Sequence, residues 1–215
     1  MKNRNQPIAV EGYPFIGFFA FLTLLFAGLD WGFLTFVGLG LTLFSLYFFR
    51  NPERYPQGDD KSVVAPADGR VIFVGPVAED RYAGGLEMTK ISIFMNVFNV
   101  HVNRVPISGR VVDLFYNRGR FFNAALDKAS LENEQAGLLV ETTGGAKILF
   151  VQIAGLIARR IVSYPEVGDE LERGQRYGLI RFGSLVDIYL PVDAEINVRL
   201  GECTVAGETI LGTLQ

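Results

Sequence analysis

The chain has one cysteine and one histidine among its 215 residues. A single cysteine excludes an internal disulfide and is typical of a protein from a reducing compartment. Zinc sites need several histidine or cysteine ligands, so the usual zinc-binding constellations are excluded and no metal site is expected. Any general acid or base that works near neutral pH is expected to be His101.

Charge is missing from a long stretch near the N-terminus. Asp30 is the only charged residue between positions 12 and 49, and the apolar runs on either side of it approach the roughly 20 residues that cross a bilayer as a helix. The pattern predicts a transmembrane helical hairpin over residues 1–50, with helices at about 12–29 and 31–49. Basic residues flank the pair on its outer sides: Lys2, Arg4, Arg50 and Arg54. Both ends are therefore expected in the cytoplasm.

Two other interpretations of this segment stay open. A cleaved signal peptide also begins with basic residues and an apolar run, but a second apolar run follows at once and no small-residue cleavage site separates them. Alternatively, the hairpin lies flat in one leaflet, because the first run is short and contains Pro14 and several glycines.

The remainder of the chain, residues 51–215, has the pattern of short β-strands. Segments rich in valine, isoleucine, phenylalanine and tyrosine alternate with glycine, proline, aspartate or asparagine. These segments are 70–77, 89–95, 110–116, 138–143, 147–152, 160–164, 185–190, 195–200 and 209–214. The best helical candidate is residues 124–134, which is short and polar. The expected fold is mainly β, a sandwich or barrel-like domain with few short helices.

Gly183 and Ser184 form a candidate self-cleavage site. A serine hydroxyl can attack the carbonyl of the preceding residue and convert that amide to an ester, and glycine tolerates the required geometry best. Elimination from the ester then leaves dehydroalanine, which hydrolyses to a pyruvoyl group. A glycine-serine pair by itself is also common in turns and at strand edges.

His101 and Asp68 are the other candidate catalytic residues. His101 is either a general acid and base or a hydrogen-bonded residue at a strand edge. Asp68 precedes Gly69, so it either stabilises a turn or orients a histidine that polarises a serine. The sequence does not show whether these side chains meet.

Five short segments, taken in order, resemble a known family. They are Phe48-Phe49-Arg50-Asn51-Pro52-Glu53-Arg54, Ala65-Pro66-Ala67-Asp68-Gly69, Asn99-Val100-His101-Val102-Asn103-Arg104, Glu132-Asn133-Glu134 and Phe182-Gly183-Ser184. Their order and spacing are similar to those of the phosphatidylserine decarboxylases. Few residues separate Asp68 from His101, which resembles the short-form branch. Phe182 and Leu185 depart from the Leu-Gly-Ser-Thr cleavage motif of the longer form, as expected for that branch.

The resemblance implies a proenzyme that cuts itself between Gly183 and Ser184. Ser184 would become a covalent pyruvoyl cofactor, and the domain over 51–215 would decarboxylate phosphatidylserine to phosphatidylethanolamine through a Schiff base, with His101 returning a proton to the substrate carbon. The expected partners are the phospholipid, the membrane and the associated large and small chains. A homodimer is left open, and no nucleic acid partner is expected. The expected location is the inner membrane, with the catalytic domain facing the cytoplasm.

Three alternatives to this function remain at this point. The same chemistry on an ether-linked serine lipid would use the same head group. A membrane-anchored β scaffold would keep the bond between Gly183 and Ser184 intact. An autoproteolytic serine hydrolase using Asp68, His101 and Ser184 would retain the serine hydroxyl instead of forming a ketone.

Overall fold

A computed structural model describes residues 6–79, 86–119, 133–155, 160–181 and 184–215. The chain divides into two compact units, Met1–Glu53 and Arg54–Gln215. The predicted helix at 124–134 falls almost wholly outside the described residues.

The N-terminal unit contains two antiparallel apolar helices. A short 3-10 turn at Val10–Gly12 leads into α1, Tyr13–Gly28, and α2 follows at Gly32–Phe48. Proline in the first turn of α1 is compatible with the helix, because the first backbone N–H groups have no helical partner. Asp30, with φ of 57°, lies in the connection. The predicted helical hairpin is therefore present in the structure.

The helices of this hairpin pack through small polar residues and expose apolar ones. Gly38 allows close approach, since a Cβ there would lie 2.7 Å from the Oγ1 of Thr23. No residue of α1 is buried, and large side chains such as Phe21 and Phe33 are exposed. Among the described helices, the 19-residue segment Val10–Gly28 is long and apolar enough to cross a membrane, whereas α2 is shorter. The first helix is thus a candidate membrane span.

The second unit is built from antiparallel strands. The described strands are β1 Ser62–Val64, β2 Gly69–Glu79, β3 Leu86–Met95, β4 Val102–Arg104, β5 Gly109–Asn117, β6 Gln135–Glu141, β7 Lys147–Ala154, β8 Ile161–Ser163, β9 Glu170–Leu171, β10 Arg176–Ile180, β11 Ser184–Pro191, β12 Glu195–Ile196, β13 Cys203–Thr204 and β14 Ile210–Thr213. The expected mainly β fold is confirmed. Its longer strands coincide with the predicted segments.

These strands form one large sheet and two small ones. The large sheet has the order β13-β2-β3-β11-β7-β6-β5-β9, and the small sheets have the orders β1-β14-β12 and β4-β10-β8. Strand β11 therefore lies in the interior of the large sheet, hydrogen-bonded to β3 on one side and to β7 on the other.

Alternating residues of β11 face two different hydrophobic clusters. Val186, Ile188 and Leu190 belong to the main core, while Leu185 and Tyr189 belong to a second cluster. Because successive side chains of a strand point to opposite faces, Ser184 shares the face of the main core.

Asp187 is a buried carboxylate on the face of the second cluster. Its Oδ2 lies 3.6 Å from the Nζ of Lys90 and accepts a hydrogen bond from the hydroxyl of Tyr189 at 3.4 Å. Its Oδ1 has no hydrogen-bond partner among the described residues. Burial raises the pKa of Asp187 above its usual range, and the Lys90 ammonium offsets only part of that rise.

We expect Asp187→Asn to reduce the pH dependence of stability. A folded-state pKa above the unfolded-state value means that the folded protein holds this proton more tightly, so stability is highest below the ordinary aspartate pKa of 3.8 and is lost as pH rises through the folded pKa. Each unit of difference corresponds to about 1.4 kcal/mol. Urea unfolding of the full chain in detergent, from about pH 4 to about pH 8, measures this loss.

The exposed Asp193 offers a matched control. Asp193→Asn should leave the wild-type pH dependence nearly unchanged. Parallel curves for wild type and Asp187→Asn would show that Asp187 ionises equally easily in both states.

Candidate active site

Ser184 is the first residue of β11 and is fully buried. It pairs with Met95 of β3 and with Ala154 of β7. Its hydroxyl donates a hydrogen bond to the Sδ of Met95 at 3.3 Å. A thioether is a weak acceptor, so little free energy is needed to redirect the hydroxyl. Gly183, the other half of the predicted cleavage site, lies outside the described residues.

His101 lies just before β4 and is buried. Its Nδ1 is 3.0 Å from the carbonyl oxygen of Asn99. Since a carbonyl only accepts hydrogen bonds, Nδ1 must carry the proton, and the lone pair of the neutral ring is then on Nε2. The backbone carbonyl of His101 accepts a hydrogen bond from the N–H of Ile180 at 3.3 Å. The ring is therefore oriented by its own chain segment, with Nε2 as the basic nitrogen.

Asp68 lies in the loop between β1 and β2. Its Oδ1 accepts a hydrogen bond from the backbone N–H of Ala206 at 2.7 Å, and its Oδ2 accepts one from Arg54 at 3.2 Å. Arg54 also pairs with Glu208 at 3.3 Å. Within the described part of the chain, His101 is not among the hydrogen-bond partners of Asp68. The backbone carbonyl of Asn99 holds the Nδ1 position that a triad would give to the aspartate.

Gly69, which follows Asp68, is required by close packing. A Cβ at this position would collide with the backbone carbonyl of Phe94 in the adjacent strand. The aspartate-glycine pair therefore begins β2 at a point where only glycine lets the two strands approach. This explains the pair without any catalytic role for the glycine.

Asn103 connects the segments that carry the three candidate residues. Its Nδ2 lies 3.4 Å from the carbonyl oxygen of Pro66 and 3.6 Å from the Sδ of Met95. Its Oδ1 accepts a hydrogen bond from the Nε2 of Gln152 at 2.8 Å. The structure thus joins the loop before Asp68, the strand after His101 and the sulfur that holds Ser184 through one buried amide.

Asn103, Gln152 and Met95 are site residues that the sequence analysis did not single out. A signal for Gln152 exists, because it is a lone polar residue in the otherwise apolar run from Ile148 to Ala154. Asn103 lies in a segment that carries the family resemblance. Neither observation indicates which side chains Gln152 or Asn103 contacts.

A second group of polar residues lies across the sheet from Ser184. The backbone N–H of Ala154 donates to the carbonyl of Glu134, and Asn133 donates to the carbonyl of Ala154 at 2.7 Å. The Glu134 carboxylate accepts a hydrogen bond from Tyr116 at 2.6 Å. This bond raises the pKa of the Tyr116 hydroxyl, and Arg118 and Arg160 partly oppose the rise through their charge. Tyr116 and Glu134 therefore form a hydrogen-bonded pair that also interacts electrostatically with Arg118 and Arg160.

A cavity of about 250 Å³ lies beside Tyr116. It is lined by Leu114, Phe115, Tyr116, Ala136, Gly137, Leu138, Ile161, Ser163 and Pro165. Its wall combines apolar side chains, such as Leu114 and Leu138, with polar groups, including Tyr116 and Ser163. Such a mixed lining suits an amphipathic ligand.

The buried side chains of the site supply the groups that proton transfer and nucleophilic attack require. They offer a weakly held serine hydroxyl, a histidine with a basic Nε2 and buried amides. Among the described residues, no group of three histidine, cysteine, aspartate or glutamate side chains is placed to hold a metal ion.

Comparison with known proteins finds relatives along the whole chain. Residues 41–212 match the family model described as phosphatidylserine decarboxylase. A phosphatidylserine decarboxylase proenzyme of Syntrophotalea carbinolica is 65% identical over 215 residues, with 100% of both chains covered. Proteins of the same name from Geotalea uraniireducens and Geobacter sulfurreducens are each 57% identical, again with 100% of both chains covered. The matched range includes Asp68, His101, Gly183 and Ser184.

Proposed function

Because the chain belongs to the phosphatidylserine decarboxylase family, we propose that it converts phosphatidylserine to phosphatidylethanolamine with a pyruvoyl group made from its own Ser184. The observation that carries this proposal is the position of Ser184, buried at the start of an interior strand with its hydroxyl on a thioether. The enzyme is a carboxy-lyase, as its relatives are named. Their names also favour a phosphatidylserine substrate over an ether-linked serine lipid.

Maturation begins with the hydroxyl of Ser184. The Oγ turns away from Met95, attacks the carbonyl carbon of Gly183 and gives its proton to the Nε2 of His101. The C–N bond then breaks, His101 returns the proton to the freed nitrogen of residue 184, and the amide has become an ester. Loss of the Cα proton and cleavage of the ester C–O bond release a carboxylate at Gly183 and leave dehydroalanine at residue 184. Water then replaces its nitrogen, which departs as ammonia. The hydrogen bond between the Nδ1 of His101 and the carbonyl of Asn99 supports this role, since it keeps the proton on Nδ1 and makes Nε2 the nitrogen that accepts a proton.

The residues around position 184 are compatible with a pyruvoyl group. The position is buried, and the nearest described side-chain partner is an apolar thioether. The group supplies a ketone that condenses with the amine of the serine head group and takes up the electron pair released with CO₂. Exclusion of bulk water by the surrounding core lets His101, and not solvent, control proton delivery to the substrate carbon.

The strand order supports continued association of the two chains after cleavage. A cut before Ser184 would place β11 in the small chain, while β3 and β7 on either side of it would belong to the large chain. Likewise β14 of the small chain pairs with β1 of the large chain. Separating the chains would therefore disrupt the interior of the sheet, so both are expected to stay folded together. The homodimer stays a prediction.

We place the enzyme at the inner membrane with both ends of the hairpin in the cytoplasm. The exposed apolar helix Val10–Gly28 supports membrane association, and the basic residues outside the apolar runs support the orientation. Reporters fused to either terminus of a chain blocked by Ser184→Ala should both indicate the cytoplasm. Full release by carbonate would favour a hairpin lying in one leaflet.

Mass spectrometry of the purified protein tests the proposed function most directly. We expect one fragment ending at Gly183 and a second beginning at residue 184 with a pyruvoyl cap and no free amine. The same preparation should release CO₂ from phosphatidylserine. An active chain that is uncut would contradict the proposal. An uncut chain without activity would favour the scaffold, and a fragment beginning with unmodified serine would favour the hydrolase.

A further inference from the structure

Gln152 carries a buried oxygen with no hydrogen-bond partner in the described part of the chain. The side chain is fully buried, and its Oε1 is left unpaired. Its orientation follows from its neighbours. Asn103 directs its Nδ2 toward the carbonyl of Pro66, so its Oδ1 faces Gln152 and requires a donor there. Gln152 must therefore present Nε2 to Asn103 and direct Oε1 elsewhere.

This oxygen belongs to a close neighbour of Ser184. Ala154 pairs directly with Ser184, and Gln152 pairs with Val186, two residues further along β11. Gln152 and Ser184 therefore share one face of adjacent strands as a diagonal pair. Diagonal pairs have Cα atoms about 7–8 Å apart, which a long side chain can bridge. The hydrogen bond to Asn103 holds the amide in one orientation.

We propose that the Oε1 of Gln152 accepts a hydrogen bond from the nitrogen of the serine head group when that nitrogen is bound at residue 184. The inference rests on the proposed function and adds a substrate-positioning residue to it. The head-group amine carries N–H groups, and one of them can supply the donor that the buried Oε1 of Gln152 needs. An acceptor at this point also favours the protonated nitrogen, which withdraws electrons more strongly when CO₂ leaves.

A purely structural role makes a different prediction. If Oε1 holds a buried water instead, its removal lowers stability but does not change how the head-group nitrogen binds. The test therefore needs a measurement of nitrogen capture in addition to turnover.

The variant Gln152→Met keeps the length of the side chain and removes the amide. The full-length enzyme in detergent micelles, after self-cleavage, is incubated with phosphatidylethanolamine and cyanoborohydride, and the lipid mass added to the C-terminal fragment is followed over time. We expect normal cleavage, adduct formation about tenfold slower than in wild type, and a matching fall in kcat/KM for phosphatidylserine.

Gln135→Met is the matched control. Gln135 is also a buried glutamine, but it pairs with Ile153 and so faces the opposite side of the sheet. It should give adduct at the wild-type rate, whatever its melting temperature. Gln152→Glu, which keeps an acceptor oxygen, should form adduct within a few-fold of wild type when its carboxyl is protonated.

Equal adduct rates for Gln152→Met and wild type would overturn the inference while leaving the pyruvoyl enzyme intact. Failure of both Gln152 variants to self-cleave would also overturn it, because Gln152 would then act in maturation. If wild type itself forms no lipid adduct, the proposed function is contradicted. That result differs from equal adduct rates in wild type and Gln152→Met, which contradict the role of Gln152 alone.

Discussion

Replacing Ser184 with alanine is expected to leave one uncut chain with no decarboxylase activity. The substitution removes the oxygen that attacks Gly183 and the atom through which the ester forms, so the pyruvoyl group cannot arise. The strand itself should survive, since the substitution leaves its backbone pairing with β3 and β7 unchanged and removes a side-chain hydrogen bond to a weak thioether acceptor. A denaturing gel and an assay of phosphatidylethanolamine formation measure both losses.

Two further variants show whether the loss of activity in Ser184→Ala is due to the missing nucleophile at this position. Ser108→Ala changes an exposed serine and should be cut and active as in wild type. Ser184→Cys keeps a nucleophile at the same atom position and should be cut, more slowly. Phosphatidylethanolamine formation by an uncut Ser184→Ala chain would contradict the pyruvoyl mechanism outright.

The second large effect is expected from His101. His101→Ala removes the basic Nε2 that takes the proton of Ser184, so uncut chain should accumulate and activity should fall at least about a hundredfold, the usual contribution of a general base. His101→Gln keeps a donor for the carbonyl of Asn99 but has no basic nitrogen. It should therefore fail as His101→Ala does, while its melting temperature stays closer to that of wild type.

Normal cleavage and normal turnover in both His101 variants would remove the histidine from both reactions. The chain has no other histidine, so the proposed proton transfers would then lack a group that titrates near neutral pH. Cleavage with slow turnover would instead restrict His101 to protonation of the substrate carbon.

Asp68→Asn tests whether the negative charge of Asp68 matters beyond the hydrogen bond that holds its loop. The variant keeps an oxygen for the N–H of Ala206 and loses the charge that faces Arg54. We expect slower cleavage than in wild type but faster cleavage than in His101→Ala, because the described hydrogen-bond partners of Asp68 are Arg54 and Ala206, not the histidine. Glu208→Gln, which removes the other partner of Arg54, is the control and should be cut normally.

The strands that were predictable share one property. In β11 and β7, bulky apolar residues recur between clear breaks at glycine or proline, and this local pattern is enough to locate a strand. The three residues of β4 and the five of β10 lack such a pattern, and neither was predicted. They exist because they pair with each other, and β10 also pairs with β8.

The sequence by itself determined the apolar hairpin, the mainly β domain and the residue types able to do the chemistry, because hydrophobic periodicity and side-chain reactivity are local properties. Tertiary structure alone decided which groups meet. Gln152 contacts Asn103 across 49 positions, Ser184 contacts Met95 across 89, and Asp68 contacts Ala206 across 138. Such contacts depend on strand order and register, which arise from burial of the whole core and leave no mark in the neighbouring residues.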